Sequence, residues 1–152
     1  MIGPGETIDP GRVQFFVPGK PAPQGSKRHV GNGVMVESSK SIKGWRTVVG
    51  ELAYQHFPAG PIPRPYAVSV ELRFVMPRPS STPKSRPTPA ATKRPDVDKL
   101  TRGCLDALSG VGFQDDSQVI VLAATKRIAE AGETSGVLVT VSVVEAVRAH
   151  AT

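Results

Sequence analysis

The segment PRPSSTPKSRPTPAATKRP, residues 77–95, limits the possible folds of this chain more than any other stretch. It contains six prolines, five Lys or Arg residues and no acidic residue. Proline fixes φ and lacks a backbone N–H, and a segment this rich in proline and charge cannot pack a core. We therefore expect an exposed, partly mobile basic loop at 77–95, with the regular elements before and after it.

Two elements are predicted near the N-terminus. VQFFV, residues 13–17, is a short apolar run ended by Pro18-Gly19, which is typical of a strand. Further along, Asn32-Gly33 lies between valine-containing runs, a pattern that favours a tight hairpin. The residues ahead of that turn include Lys20, Lys27 and Arg28 with no acid among them.

A helix and a strand are predicted between the hairpin and the loop. Over residues 41–57, apolar side chains recur at three- and four-residue steps, which indicates one buried helical face. Trp45 and His56 belong to this pattern, and we interpret both as packing residues. Apolar residues alternate with other residues over 68–76, which predicts a strand with one face on the core.

The elements after the loop complete the fold prediction. Asp98 to Leu108 has the pattern of an amphipathic helix with Asp98 as its N-cap. VIVLAATKR, residues 119–127, predicts a largely buried strand, and valines alternate over 137–144 in a further strand. This order fits a two-layer α+β fold, with helices packed on one face of a mixed sheet.

Composition restricts the class of protein. A chain of 152 residues fits one domain, 1–152, with the basic loop as an excursion from it. The net charge of +6 favours a polyanionic partner and leaves DNA, RNA and acidic lipid open. No apolar run is long enough to span a membrane, and the single cysteine, Cys104, cannot form an internal disulfide. The first residues have neither a basic start nor an apolar run, so we expect no signal peptide. We therefore expect a cytoplasmic protein.

Four aspartates form the most informative pattern. Asp96 and Asp98 precede or begin the second predicted helix, and Asp115 and Asp116 follow it, immediately before a strand. If that helix and strand pack together, the two pairs can meet, and clustered carboxylates repel one another unless a cation is bound. Hard oxygen donors without histidine or thiol favour Mg²⁺ or Mn²⁺. Spacing alone leaves a second interpretation open, in which these acids are ordinary cap and turn residues.

The same stretch carries a resemblance to a known family. RPDVDKL, then LDAL, then DDSQV resembles the signature of the RusA-type Holliday-junction resolvases: D-x-D-(N or K)-L, L-D-A-L and D-D-x-x-(V or F) in that order. The early segment VPGKPAPQGSKR is also similar to the basic loop of that family. Together the matches span residues 13 to about 127.

The resemblance implies roles for individual residues. Asp96, Asp98 and Asp116 match the essential acids, with Asp115 as the adjacent acid and metal ligand candidate. Arg102 stands at the position of the functional lysine of the family, and this change of side-chain geometry puts an identical role in doubt. Asp106 matches the LDAL acid, for which we favour a structural role. The candidates for DNA contact are Lys27, Arg28, Lys93, Arg94, Lys99 and Arg102.

The resemblance also implies an activity. It predicts a homodimeric, Mg²⁺- or Mn²⁺-dependent endonuclease that resolves four-way DNA junctions in recombination and repair, in a bacterial cell or a phage-infected host. A related nuclease for flaps or forks and a junction-binding protein without catalysis remain alternatives. For the 77–95 loop, contact with the DNA backbone and a simple solvated loop both remain open.

Overall fold

The computed structural model describes residues 11–24, 27–29, 35–37 and 42–144, with only the backbone described at 27–29 and 35–37. Two helices and six strands occur there. A single turn of 3-10 helix, Asp116–Gln118, precedes the fifth strand. In chain order the elements are β1 (Arg12–Pro18), β2 (Lys27–His29), β3 (Met35–Glu37), α1 (Ile42–His56), β4 (Ala67–Met76), α2 (Val97–Leu108), β5 (Val119–Ile128) and β6 (Gly136–Val144).

Four of the strands form a mixed sheet in the order β1-β6-β4-β5. β6 pairs antiparallel with both β1 and β4, whereas β4 and β5 are parallel. Parallel neighbours need a long crossover connection. Residues 77–118 supply this connection. The basic loop, α2 and the turn that carries Asp115 and Asp116, called the acidic turn below, therefore all occur in the sequence between β4 and β5, which are neighbours in the sheet.

The core lies between this sheet and the two helices. Alternate residues of β4 are fully buried, and they share one apolar cluster with residues of α1 such as Trp45 and Val49 and of α2 such as Leu100 and Cys104. The predicted α+β arrangement is therefore confirmed. Burial raises the pKa of the Cys104 thiol to about 12, so this side chain is a neutral core residue.

Close contact between the helices depends on Gly103 of α2. A Cβ atom built at this position would lie 2.9 Å from Cδ1 of Ile42 at the start of α1. At the other end of α1, the His56 ring stacks on Phe15 with 4.7 Å between ring centroids. The interpretation of Trp45 as a packing residue is confirmed by its burial, whereas His56 is exposed and contacts the core through this ring stack.

β5 differs from the prediction. The sequence predicts a largely buried strand, but β5 is an edge strand on which Ile120, Val121 and Leu122 are 62%, 49% and 49% exposed. The prediction was wrong because a continuous apolar run is typical of a parallel strand covered on both faces. Here β5 has a neighbouring strand on one side only, so its apolar side chains remain partly open to solvent.

The predicted hairpin is present as a separate pair of strands. β2 and β3 are antiparallel, with Lys27 opposite Glu37 and His29 opposite Met35. The predicted Asn32-Gly33 turn lies outside the described residues. None of the helices in the described ranges is long and apolar enough to cross a membrane.

The 77–95 loop has no regular secondary structure, and most of its residues are exposed, as predicted. Its first part is nevertheless organised around the half-buried Arg78. This guanidinium donates hydrogen bonds to the Thr88 hydroxyl at 2.6 Å and to the backbone carbonyls of Thr82, Pro83, Arg86 and Ala129. Thr88 also hydrogen-bonds Glu130, which ties the loop to the turn after β5.

Candidate active site

The N-terminus of α2 carries the first pair of acids. Asp96, not Asp98, is the N-cap: its backbone is extended, and its carbonyl accepts the first helical hydrogen bond, from Leu100 at 3.1 Å. The prediction of Asp98 as N-cap was wrong by two residues, since helical geometry already begins at Val97. The Asp96 side chain makes no capping hydrogen bond, so its carboxylate is not occupied by the helix end.

The acidic turn before β5 places the side chains of Asp115 and Asp116 in different surroundings. Asp115 forms a capping box with Gln118, in which Ser117 N donates to Asp115 Oδ2 and Asp115 N donates to Gln118 Oε1, both at 2.9 Å. The hydrogen bonds from Ser117 lower the pKa of Asp115, and the Arg64 guanidinium, at 3.8 Å, adds to this effect. Asp115 is thus held within the turn.

Gln118 fixes the position of this turn against the chain before β4. Its buried Nε2 donates to the carbonyls of Ile62, Pro63 and Tyr66 at 3.0–3.2 Å. Both the amide N–H groups and the amide oxygen are therefore used. The turn that carries Asp116 is anchored by a side chain that the sequence analysis did not single out, although D-x-x-Q is a recognisable capping pattern.

One cleft of about 450 Å³ brings predicted site residues together. Asp98, Arg102 and Asp106 project into it from successive turns of α2, and Asp116 enters it from the acidic turn. Asp96 and Asp115 do not line this cleft, since Asp96 lies just before it at the helix end and Asp115 is held by the capping box. The remaining lining residues are Val97, Thr101, Leu105, Leu122 and Ala124.

The donor set of the cleft suits a hard divalent cation. Its acidic residues are aspartates, and no histidine or cysteine lines it. Mg²⁺ typically binds through one or two carboxylates together with water and substrate phosphate, so the two cleft carboxylates of Asp98 and Asp116 would be enough to hold such an ion. Over the described part of the chain, no three His, Cys, Asp or Glu residues lie close enough to form a larger metal-binding group.

Asp106 has an ion-pair partner on the other helix. Arg46 Nη1 of α1 lies 3.6 Å from Asp106 Oδ2, and the same nitrogen donates to Gln24 Oε1 at 3.1 Å. Arg46 of α1 therefore contacts both Asp106 of α2 and the segment after β1. Nothing in the sequence pattern marks Arg46 as the partner of Asp106.

Four of the candidate DNA-contact residues lie in α2 or in the segment just before it. Arg102 is exposed in the cleft, and Lys93 and Arg94 are exposed just before Asp96. The carbonyl of Lys99 accepts a hydrogen bond from Gln24 N at 2.9 Å. Lys27, the first residue of β2, comes three residues after Gln24, so its Cα lies within roughly 11 Å of the Gln24 Cα. The side chains of Lys27 and Arg28 lie outside the described residues.

Lys126 of β5 is a further residue that the sequence analysis missed. Its ammonium donates hydrogen bonds to the carbonyls of Lys93 at 2.8 Å and Pro95 at 2.7 Å. These contacts join the edge strand to the end of the basic loop. A lysine in an apolar strand pattern gives no sign of such a distant partner, so only the fold reveals the contact.

Comparison with known proteins identifies the family. A family model described as endodeoxyribonuclease RusA matches residues 18–142, which is most of the chain. An uncharacterized protein of Bacillus subtilis (strain 168), YqaN, is 32% identical over 126 residues, which cover 78% of this chain and 89% of that protein. The chain belongs to the RusA family of endodeoxyribonucleases, which are nucleases that act on branched DNA.

Proposed function

We propose that this protein is a divalent-metal-dependent resolvase that cuts four-way DNA junctions by paired phosphodiester hydrolysis, as a homodimer, in recombination and repair. The observation that carries the proposal is the cleft shared by Asp98, Asp116 and Arg102 in a chain of the RusA family. In this proposal the two aspartates form the metal site, and the arginine in the same cleft contacts the phosphate.

The aspartates and the arginine have different tasks in this proposal. Asp98 and Asp116 hold Mg²⁺ or Mn²⁺, with Asp96 beside them at the helix end. Such an ion, held by these aspartates, would supply an activated water and would offset negative charge on the phosphodiester. Arg102, exposed in the same cleft, binds the scissile phosphate and favours the more negative transition state through its guanidinium.

A second group of cations is proposed to bind the DNA backbone away from the chemistry. Lys93 and Arg94 are exposed at the end of the basic loop, Lys99 lies in the first turn of α2, and Lys27 and Arg28 belong to β2. Backbone contacts of this kind give affinity and orientation without reading the base sequence. They suit an enzyme that selects DNA by its branched shape.

A cleavage assay tests the proposal. A synthetic four-way junction, a flap, a fork and a linear duplex are incubated with Mg²⁺, Mn²⁺ or a chelator, and Asp98→Asn serves as the inactive control. We expect symmetric nicks in the junction with either metal and none with chelator. Faster cutting of flaps or forks would instead identify a related branched-DNA nuclease, and tight binding without cutting would identify a binding protein.

A further inference from the structure

Lys126 has an unusual place for a lysine. It is the cross-strand neighbour of Phe74, whose side chain is in the core, so Lys126 lies on the face of the sheet that the helices cover. Because β5 is at the sheet edge, the lysine stem remains half-buried while its ammonium reaches past the core. The ammonium is directed to backbone carbonyls rather than to a carboxylate.

The two carbonyls that Lys126 binds belong to the residues that lead into the active site. Lys93 and Pro95 accept from its Nζ at 2.8 and 2.7 Å, across 33 and 31 residues of sequence. Pro95 is followed immediately by Asp96, whose own carbonyl begins α2. Hydrogen bonds from an ammonium are stronger than those between neutral groups. Lys126 therefore fastens the backbone directly before Asp96.

The same strand also fixes the opposite end of the site. The acidic turn that carries Asp116 runs straight into β5, and Leu122 and Ala124 of β5 line the cleft. Side chains two residues apart on a strand share a face, so Leu122, Ala124 and Lys126 form one row beneath α2. The start of β5 therefore follows the turn that carries Asp116, and Lys126 near the end of β5 contacts the segment before Asp96.

We propose that Lys126 is a positioning residue of the nuclease site, which holds Asp96 in register with Asp98 and Asp116. This inference rests on the proposed function. An ammonium has three donors, and two of those of Lys126 are used by carbonyls. Lys126 thus acts through the loop, and its removal affects the rate of cleavage rather than the affinity for DNA.

The test compares three variants. Lys126→Met keeps the stem but removes the donors, and Lys126→Arg restores donors that can reach both carbonyls. Arg127→Met is the matched control: it removes the same charge from the adjacent residue, which pairs with Glu133 at 2.5 Å instead of with the loop. Single-turnover cleavage is measured with saturating protein and Mg²⁺, and junction affinity is measured in chelator.

We expect Lys126→Met to cleave roughly 10- to 100-fold more slowly, the usual effect of removing a residue that orients a metal ligand. Its affinity for the junction should change by less than about threefold, because no phosphate contact is lost. Lys126→Arg should recover most of the rate, and Arg127→Met should cleave like the wild type. A Lys126→Met protein that cleaves at the wild-type rate, or that loses affinity but not rate, overturns the proposal.

Amide hydrogen exchange separates this inference from the proposed function. In DNA-free protein, Lys126→Met should speed exchange in peptides that cover residues 93–101, but not in those from β4 or β6. Unchanged exchange at 93–101 would overturn the positioning role even if cleavage slowed. If the wild-type protein cuts no branched DNA with either metal, the proposed function fails, while the exchange result still decides whether Lys126 holds this segment.

Discussion

Arg46 and Asp106 form an ion pair between α1 and α2, with 3.6 Å between Nη1 and Oδ2. Asp106 also lines the cleft with Asp98 and Asp116, so its position alone fits either a metal ligand or a structural residue. The pairing favours the structural role. Because the two side chains are 32% and 40% exposed, water screens this attraction and its contribution to stability is modest.

We predict that Asp106→Asn lowers the free energy of unfolding by about 0.5–1 kcal/mol, the upper range for an exposed ion pair, and leaves cleavage within a few-fold of wild type. Urea denaturation and single-turnover cleavage measure the two effects. A double-mutant cycle with Arg46→Met isolates the pair. Complete loss of cleavage in a fully stable Asp106→Asn protein would show that this acid takes part in the chemistry.

The replacements Asp96→Asn, Asp98→Asn and Asp116→Asn should each abolish cleavage. Each removes a negative charge from the metal site, and each also removes repulsion toward the DNA phosphates, so junction binding should stay the same or tighten. Gel-shift titration in chelator and cleavage in Mg²⁺ measure these effects. Wild-type rates in all three variants would rule out this metal-site assignment.

Asp115 should differ from these acids, because its carboxylate is held in the capping box. Asp115→Ala should lower stability while most cleavage remains; Asp115→Asn, which still caps, is the control. Since the folded-state pKa of Asp115 lies below its ordinary value of 3.8, its charge-dependent stabilisation is present above that pH and is lost as the pH falls below it. The difference between the denaturation midpoints of wild type and Asp115→Ala should therefore become smaller in acid, where only the uncharged part of the cap remains; a constant difference down to low pH would contradict this explanation.

Single neutralisation of Lys27, Arg28, Lys93, Arg94, Lys99 or Arg102 should weaken junction binding. For each lost phosphate contact, the slope of log affinity against log salt should fall by roughly one unit. Arg73→Gln is a suitable control, because Arg73 is on the open face of the sheet and pairs with Glu71 at 3.0 Å. Arg102→Ala should also slow cleavage by bound protein. An unchanged single-turnover rate would remove Arg102 from the chemistry.

The active species should be a two-fold symmetric homodimer, since two opposed strands of a junction are cut productively by two identical sites. Sedimentation should give a mass near twice 16.1 kDa. Mixed dimers of wild type and Asp98→Asn should nick a supercoiled cruciform plasmid without linearising it in one binding event. A protein that stays monomeric on the junction and still makes paired cuts would disprove the prediction.

The fold was largely predictable because its patterns are local. Alternation over 68–76 and three- and four-residue steps over 41–57 correspond to β4 and α1 with little error at their ends. The prediction for β5 failed, since an apolar run does not reveal whether a strand has one neighbour or two. The prediction of Asp98 as N-cap failed because Asp96, two residues earlier, is the same residue type and caps a helix equally well.

The acidic residues of the candidate site could be predicted from the sequence, but the side chains that contact and position the site could not. The aspartates occur in an ordered motif, and the fold brings Asp98 and Asp116 into one cleft. Arg46 and Lys126 were missed because their partners are tens of residues away in the sequence. Such contacts depend on which elements pack together, and this information is absent from local spacing. The capping role of Asp115 was visible in principle, through Gln118 three residues later.

The hydrogen bonds of Arg78 change the thermodynamic character of the proline-rich loop. Residues 78–88 close on this half-buried guanidinium much as an Ω-loop closes on its own side chains. Arg78, one of the five cationic residues of the loop, thus uses its guanidinium for hydrogen bonds within the protein. The other four, Lys84, Arg86, Lys93 and Arg94, form no ion pair within the described ranges. The entropy lost in ordering residues 78–88 is therefore part of folding, and a ligand that reaches their outer surface need not supply it.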